Sequence, residues 1–222
     1  FVSQLEQFHT SGGIPCGNIS GLAIRMQSNF VVRNMYTIPF DVARIEDPEA
    51  KYYASMRSAI ADARVGMVTT ANPSTLLRVA QFANNHCESL IRDIADGTIS
   101  ADFDIADDIR SSLTQNLQPQ RQRAAELDRI VEQTGHLYPR DYWNAMRFLA
   151  VWTGGSCAAY MDAVHDCFGN VPARDHGLHA SEGRMTIPLQ DNSCDGVLDV
   201  LSNYYEFIPA DEYGTNNPTI LE

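Results

Sequence analysis

Residues 174–189 read R-D-H-G-L-H-A-S-E-G-R-M-T-I-P-L, and how this stretch is interpreted decides how the rest of the chain is arranged. At its centre Ala180, Ser181, Glu182 and Gly183 set a small residue, a hydroxyl, a carboxylate and a glycine in a row between two apolar runs. This is the chemistry of a loop that meets a nucleotide phosphate and its metal. Ala180 lets the backbone approach a flat ring, and Ser181 can donate a hydrogen bond to a phosphate or carboxylate oxygen. Glu182 offers hard oxygen ligands to Mg²⁺, and Gly183 permits the turn into the next strand. The same four residues also read as a polar turn between strands with a solvated glutamate.

Upstream of this loop two strand–turn–helix units follow one another. The β-branched run 65–69 reads as a buried strand. Asn72 then caps, and Pro73 opens, a helix whose apolar stripe is Leu76, Ala80, Ala83, Cys87, Leu90 and Ile94. Gly97 ends it. The second unit has a strand at 147–152, a turn at Thr153-Gly154-Gly155-Ser156 and a helix over 157–168. Such units build α/β folds in which ligands sit where the strands end. Gly154 and Gly155 would let a ligand close to the backbone, and the following helix start favours an anion. Ser74, Thr75 and Leu77, at the first helix start, either touch a substrate or only serve that helix, the hydroxyls by satisfying first-turn N–H groups. After the loop, 185–189, 196–201 and 204–209 read as a small antiparallel meander. The fold class is therefore α/β, with helices on a largely parallel sheet and a small antiparallel portion late in the chain.

The remaining segments are read as structural. Asp47 and Pro48 start a helix to about Ala61 with Tyr52, Met56, Ala59 and Ile60 inward. A second amphipathic helix spans 119–134, with Ala124, Leu127, Ile130 and Val131 inward and Gly135 stopping it. Residues 136–144 read as a loop covering the core. The acidic 100–117 stretch, with Asp102, Asp104, Asp107 and Asp108, reads as a solvated face. The glycines at 12, 13 and 17 form a loop that either borders the site or is a surface turn. Glu206 either approaches the ligand or points to water, and a structural role is the preferred reading.

Composition narrows the function. The chain has 222 residues, 44% of them hydrophobic and 20% charged, enough for one well-formed core. A net charge of −12 argues against a nucleic-acid surface. No apolar run approaches the ~20 residues that span a bilayer, and no signal peptide stands at the start, so a cytoplasmic protein without a membrane partner is expected. Five scattered cysteines, with no C-x-x-C, point to reduced thiols. His165, Cys167, His176 and His179 lie near one another in sequence, but their spacings match no zinc pattern. Neither a nucleophile elbow nor a G-x-x-x-x-G-K-[ST] phosphate loop occurs.

Six segments in a fixed order carry a resemblance to a known family. They are G-G-I-P-C-G at 12–17, E-D-P-E-A-K-Y-Y at 46–53, T-A-N-P-S-T-L-L at 70–77, W-T-G-G-S at 152–156, the A-S-E-G loop at 180–183 and Y-Y-E-F-I-P at 204–209. With these the chain resembles the auxin-responsive acyl-acid amido synthetases, the Gretchen Hagen 3 family, especially its bacterial members, within the adenylate-forming superfamily. The resemblance implies an ATP- and Mg²⁺-dependent ligase that joins a small carboxylic acid to an amine or amino acid through an acyl adenylate. It implies catalytic roles for Ser181 and Glu182, with Glu182 on the metal. It places the nucleotide against Gly154, Gly155, Leu178, His179, Ala180 and Ser181, and the acid against Ser74, Thr75 and Leu77. The family usually carries an aromatic tyrosine four residues before the glutamate, where this chain has Leu178. Either adenine packs on that aliphatic side chain, or His179 takes the role, or nucleotide affinity is lower.

The resemblance also implies that residues 1–222 are the central part of a large N-terminal domain, an internal piece of a longer protein. The phosphate loop would lie upstream, and the ribose-gripping segment and mobile C-terminal domain downstream. The competing reading is a non-catalytic α/β binding or scaffold fragment in which the 180–183 loop is only a turn. The expectation is that these 222 residues alone do not adenylate an acid, and ATP–pyrophosphate exchange by this stretch of chain measures it.

Overall fold

The computed structural model describes residues 8–18, 21, 26–180 and 182–221. Asp47 turns the chain into the helix Pro48–Ala61 as expected: its side chain accepts the Ala50 N–H, and Pro48 stands where no N–H is needed. Tyr53, Met56 and Ile60 are buried on this helix. Tyr52 is only half-buried, against Phe82, with the Arg78 guanidinium over its ring.

The stripe starting at Leu76 is buried as its period requires, except for half-buried Cys87. It lies on two helices, however, Pro73–Asn85 and Cys87–Asp96, which meet at His86 with φ −112° and ψ 21°. Asn84, Asn85 and His86 are weak helix formers. The His86 ring instead packs 4.3 Å from the ring of Phe82 and 5.5 Å from that of Phe103. Spacings of three and four residues survive the break, so the buried face is continuous across it. Gly97, at φ 73°, closes the second helix, and Asp93 O accepts both the Gly97 and Thr98 N–H groups.

Asp93 is the hub of the core. Its buried carboxylate accepts from Tyr53 Oη at 2.6 Å, Ser100 N at 2.6 Å and Thr98 Oγ1 at 2.8 Å. Buried Arg57 donates to Asp93 O and Thr98 O. The last turn of the Pro48–Ala61 helix is served in the same way: Ala59 O accepts from Trp143 Nε1, and Ile60 O from Arg123 Nε. A helix end inside a protein needs such donors, because water cannot reach its carbonyls.

Three strands form the parallel sheet, in the order Met67–Thr69, Phe148–Ala150, Ala173–Arg174. Val68 pairs with Leu149, and Leu149 with Ala173. The third strand has two residues, too few to show a β period in sequence. The Pro73–Asn85 helix packs on Pro48–Ala61 and on Met161–Phe168. The predicted 157–168 helix opens as a 3₁₀ segment, Gly155–Tyr160, and becomes α-helical at Met161. The predicted 119–134 helix is Arg121–Thr134, closed by Gly135 at φ 74°. The 136–144 loop contains a helical turn, Pro139–Tyr142, with Tyr142 and Trp143 buried. The four aspartates of 100–117 are exposed, two of them in the first turn of the helix Asp107–Thr114.

Late in the chain Thr186–Pro188 pairs antiparallel with Gly196–Leu198. The third meander strand is absent: 204–209 contributes only an isolated bridge from Phe207 to Leu221. Glu206 is exposed. The glycine loop near residue 13 is the turn of an early hairpin, Phe8–His9 with Pro15–Cys16.

Two stability outcomes follow from the core. Asp93→Ala leaves Tyr53, Thr98 and Ser100 without their acceptor and should cost about 3 kcal/mol or more in urea unfolding. Burial, reinforced for Tyr53 by Asp93, pushes the phenols of Tyr53 and Tyr142 far above the ordinary tyrosine range. The unfolded chain therefore sheds these protons first, at about pH 10, and stability should fall as the pH rises past that point. Urea midpoints at about pH 8 and about pH 11 measure the loss.

Candidate functional site

The three parallel strands end side by side, and the loops that leave them are tied together. Thr70 N donates to Ala150 O, Trp152 N to Ala71 O, and Val151 N to Arg174 O. Beyond the strands the links pass to side chains. The Asp175 carboxylate accepts from Thr153 N at 2.6 Å and Thr153 Oγ1 at 2.9 Å through Oδ2, and from Gly177 N at 2.7 Å through Oδ1. Trp152 Nε1 donates to Gly177 O at 3.0 Å. His176 Nε2 lies 3.1 Å from Thr70 O. The His179 ring sits 4.9 Å from the Trp152 ring, inclined by 36°. His176 and His179 are both engaged around Trp152.

The 180–183 loop is the tip of a small hairpin. His179–Ala180 pairs antiparallel with Gly183–Arg184, and Glu182 lies in the turn before Gly183. Glu182 is exposed there, and Ser181 lies outside the described residues. Gly177, at φ 77°, leads into the hairpin. Leu178 is 66% exposed although its backbone is fixed, with its N–H on Thr186 Oγ1 and its carbonyl accepting from Met185 N. Ala180 is exposed and His179 half-buried.

The two glycines of the corner differ. A Cβ on Gly154 would stand 2.7 Å from Cys194 Cβ and 3.0 Å from its Sγ, so this glycine allows the 190–195 loop to close over it. That loop is anchored on the third strand, where Asn192 exchanges hydrogen bonds with Ala173 and Asp191 pairs with Arg174. Gly155 faces open space at φ 56°. At the first helix start the Ser74 and Thr75 N–H groups go to Asn72, through Oδ1 and O respectively. Asn72, rather than Ser74 or Thr75, therefore caps the first turn. Both residues are half-buried, beside a helix that packs on the Gly155–Tyr160 turn. Leu77 is half-buried and packs on the core.

The glycine corner, the hairpin and the Ser74 helix start thus share the C-terminal end of the sheet, with Trp152 between the first two. Sequence reasoning passed over Trp152 and Asp175. The signal for Asp175 was local: an aspartate two residues before a glycine forms an Asx turn on its own backbone. A metal fits here only in one manner. Both Asp175 oxygens are occupied, whereas Glu182 is exposed on a turn. One carboxylate with phosphate oxygens and water suits Mg²⁺.

This geometry defines an α/β domain whose linked loops gather at the carboxyl ends of its parallel strands. Residues 1–173 match the model of the GH3 family N-terminal domain, and the chain belongs to that family. The matched segment stops at Ala173, just before the hairpin region. The chain is 26% identical, over 191 residues, to the indole-3-acetic acid-amido synthetase GH3.17 of Arabidopsis thaliana, covering 81% of this chain and 30% of the relative. Its fold is similar to that of the GH3.15 acyl acid amido synthetase, with a TM-score of 0.68 at 15% identity, covering 84% of this chain and 34% of the other. The AtGH3.15 acyl acid amido synthetase in complex with 2,4-DB gives a TM-score of 0.64 at 14% identity, covering 84% of this chain and 33% of the other. The chain spans about a third of the length of these relatives.

Alanine substitutions should rank the glycines. Gly177→Ala meets both a left-handed φ and the Thr186 carbonyl, and should be the most destabilising. Gly154→Ala should cost about 1–3 kcal/mol by overpacking against Cys194, most of it recovered in a Gly154→Ala/Cys194→Gly pair. Gly155→Ala should cost about 1 kcal/mol through φ alone. Thermal melts of the three variants and the pair measure the order.

Proposed function

We propose that this chain is the acid- and nucleotide-binding part of an ATP-dependent acyl-acid amido synthetase. The observation that carries the reading is the close, tilted packing of the His179 ring on Trp152, which holds the hairpin that starts at His179 at the same end of the sheet as the 153–155 turn. Family membership supplies the reaction class. In that reaction a carboxylate oxygen of a small acid attacks the α-phosphorus of ATP and pyrophosphate leaves. An amine, such as that of an amino acid, then attacks the acyl carbon of the mixed anhydride and releases AMP.

The residues divide this work by position. The hydroxyls of Ser74 and Thr75 offer donors to the acid carboxylate at a helix N-terminus, where an anion is favoured. Leu77 supports the acid's apolar part. Gly155, open to solvent, lets a nucleotide lie close to the backbone, and Gly154 keeps that corner thin. Leu178 presents an exposed aliphatic surface to adenine, and Ala180 keeps the strand beside it low. His179 has one ring face against Trp152 and stiffens the hairpin from behind. Ser181 orients a phosphate oxygen. Glu182 would hold Mg²⁺, which when bound would supply charge neutralisation around the phosphorus. This role suits a cytoplasmic protein, where ATP and reducing conditions coincide, and all five cysteines are free. Its partners are small molecules, not nucleic acid or membrane. No helix among the described residues is long and apolar enough to cross a membrane.

The test uses the full-length protein that carries this domain, screened against carboxylic acids by ATP-dependent pyrophosphate release. An acid should be found that is turned over only with ATP. Glu182→Gln should then lower turnover about 100-fold or more without changing the melting temperature, because the side chain is exposed on a turn. Unchanged turnover would remove Glu182 from the mechanism.

A further inference from the structure

Beyond the residues that face the ligands, Asp175 stands out as a buried charged group placed between the two halves of the site. It is 6% exposed, and both of its oxygens are taken. One oxygen holds Thr153, the residue immediately before the glycine corner. The other holds Gly177, the residue from which the hairpin departs. No ligand can displace these partners without stranding a buried carboxylate, which is costly. The two loops are therefore satisfied only together. If either moved alone, the acceptor would lose its donors inside the protein.

We propose that Asp175 is the positioning residue of this site, fixing the distance between the 153–155 corner and the 179–184 hairpin. The inference rests on the proposed nucleotide site, since those loops are its two walls. Asp175 touches no substrate and acts through Thr153 and Gly177. A second link runs parallel to it, from Trp152 Nε1 to Gly177 O, so loss of Asp175 loosens the spacing without releasing the hairpin altogether. The Ser74 helix start is tied elsewhere, through Asn72 within its own first turn, and through Thr70 O and Ala71 O to His176 and Trp152. The Ser74 helix start makes no bond to the Asp175 carboxylate and reaches it only through neighbouring residues, whereas both walls of the nucleotide side bond to it directly.

The experiment compares Asp175→Ala and Asp175→Asn with the unaltered full-length protein. Asp175→Ala should raise KM for ATP about tenfold or more while leaving KM for the acid nearly unchanged, since small misplacements of a wall are expensive. Asp175→Asn keeps an acceptor for Thr153 but sets an amide donor against Gly177 N–H, and should fall between the two. Hydrogen exchange should quicken at the Thr153 and Gly177 amides in Asp175→Ala and stay unchanged across 148–150. A merely structural role would lower kcat through the active fraction and leave both KM values alone. That result, or unchanged exchange at the two amides, overturns the proposal. If the unaltered protein releases no pyrophosphate with any acid, the ligase reading fails, and the exchange data alone decide whether Asp175 fixes the loops.

Discussion

Two helices end inside this protein, and their last carbonyls have to be satisfied there. Arg57 reaches Asp93 O, Trp143 reaches Ala59 O, and Arg123 reaches Ile60 O. Each donor comes from a segment distant in sequence, so each bond fixes one element against another. The Asp93 carboxylate adds Tyr53, Thr98 and Ser100 to the same network. Apolar burial alone would allow these helices to slide or rotate, because it has no direction. The hydrogen bonds have direction, and an unmade one inside the core is costly. They determine how the Pro48–Ala61 and Cys87–Asp96 helices cross, and with that where the first strand enters the sheet.

The same logic operates at the far end of the strands, with a different purpose. There the polar links join loops instead of helices. Asp175, Trp152 and His176 tie the three loops that follow the three strands into one surface. Several of the residues on that surface are open to solvent. Glu182 and Ala180 are exposed, Leu178 is two-thirds uncovered, and Gly155 borders open space. In this GH3-family domain the buried polar groups hold the loops in position, and the exposed ones lie on the surface those loops form.

Legibility in the sequence tracks how local each feature is. The Pro48–Ala61 helix could be bounded correctly because its start signal, Asp47 and Pro48, acts within one turn. The ends at Gly97 and Gly135 were equally plain, since left-handed backbone favours glycine. The break at His86 was not visible. The apolar stripe continues through it, and the cause is aromatic packing with Phe82 and with Phe103, the latter 17 positions further along the chain. The strand Ala173–Arg174 is too short to carry a pattern. The meander was overextended because Tyr205 and Phe207 alternate with Glu206, while in the structure Phe207 makes an isolated bridge and Tyr205 bonds through its hydroxyl to Met185 O.

By itself the sequence determined the α/β class, the two strand–turn–helix units, the caps and the order of motifs that marks the family. These depend on residues a few positions apart, where periodicity and backbone preference decide the outcome. Only the tertiary structure decided which loops stand next to one another. It showed that Trp152 and Asp175 join the glycine corner to the hairpin, and that Cys194 covers Gly154. The reason is physical. A hydrogen bond between residues about 20 positions apart leaves no periodic trace in the chain, and its strength arises from burial that exists only once the sheet has assembled.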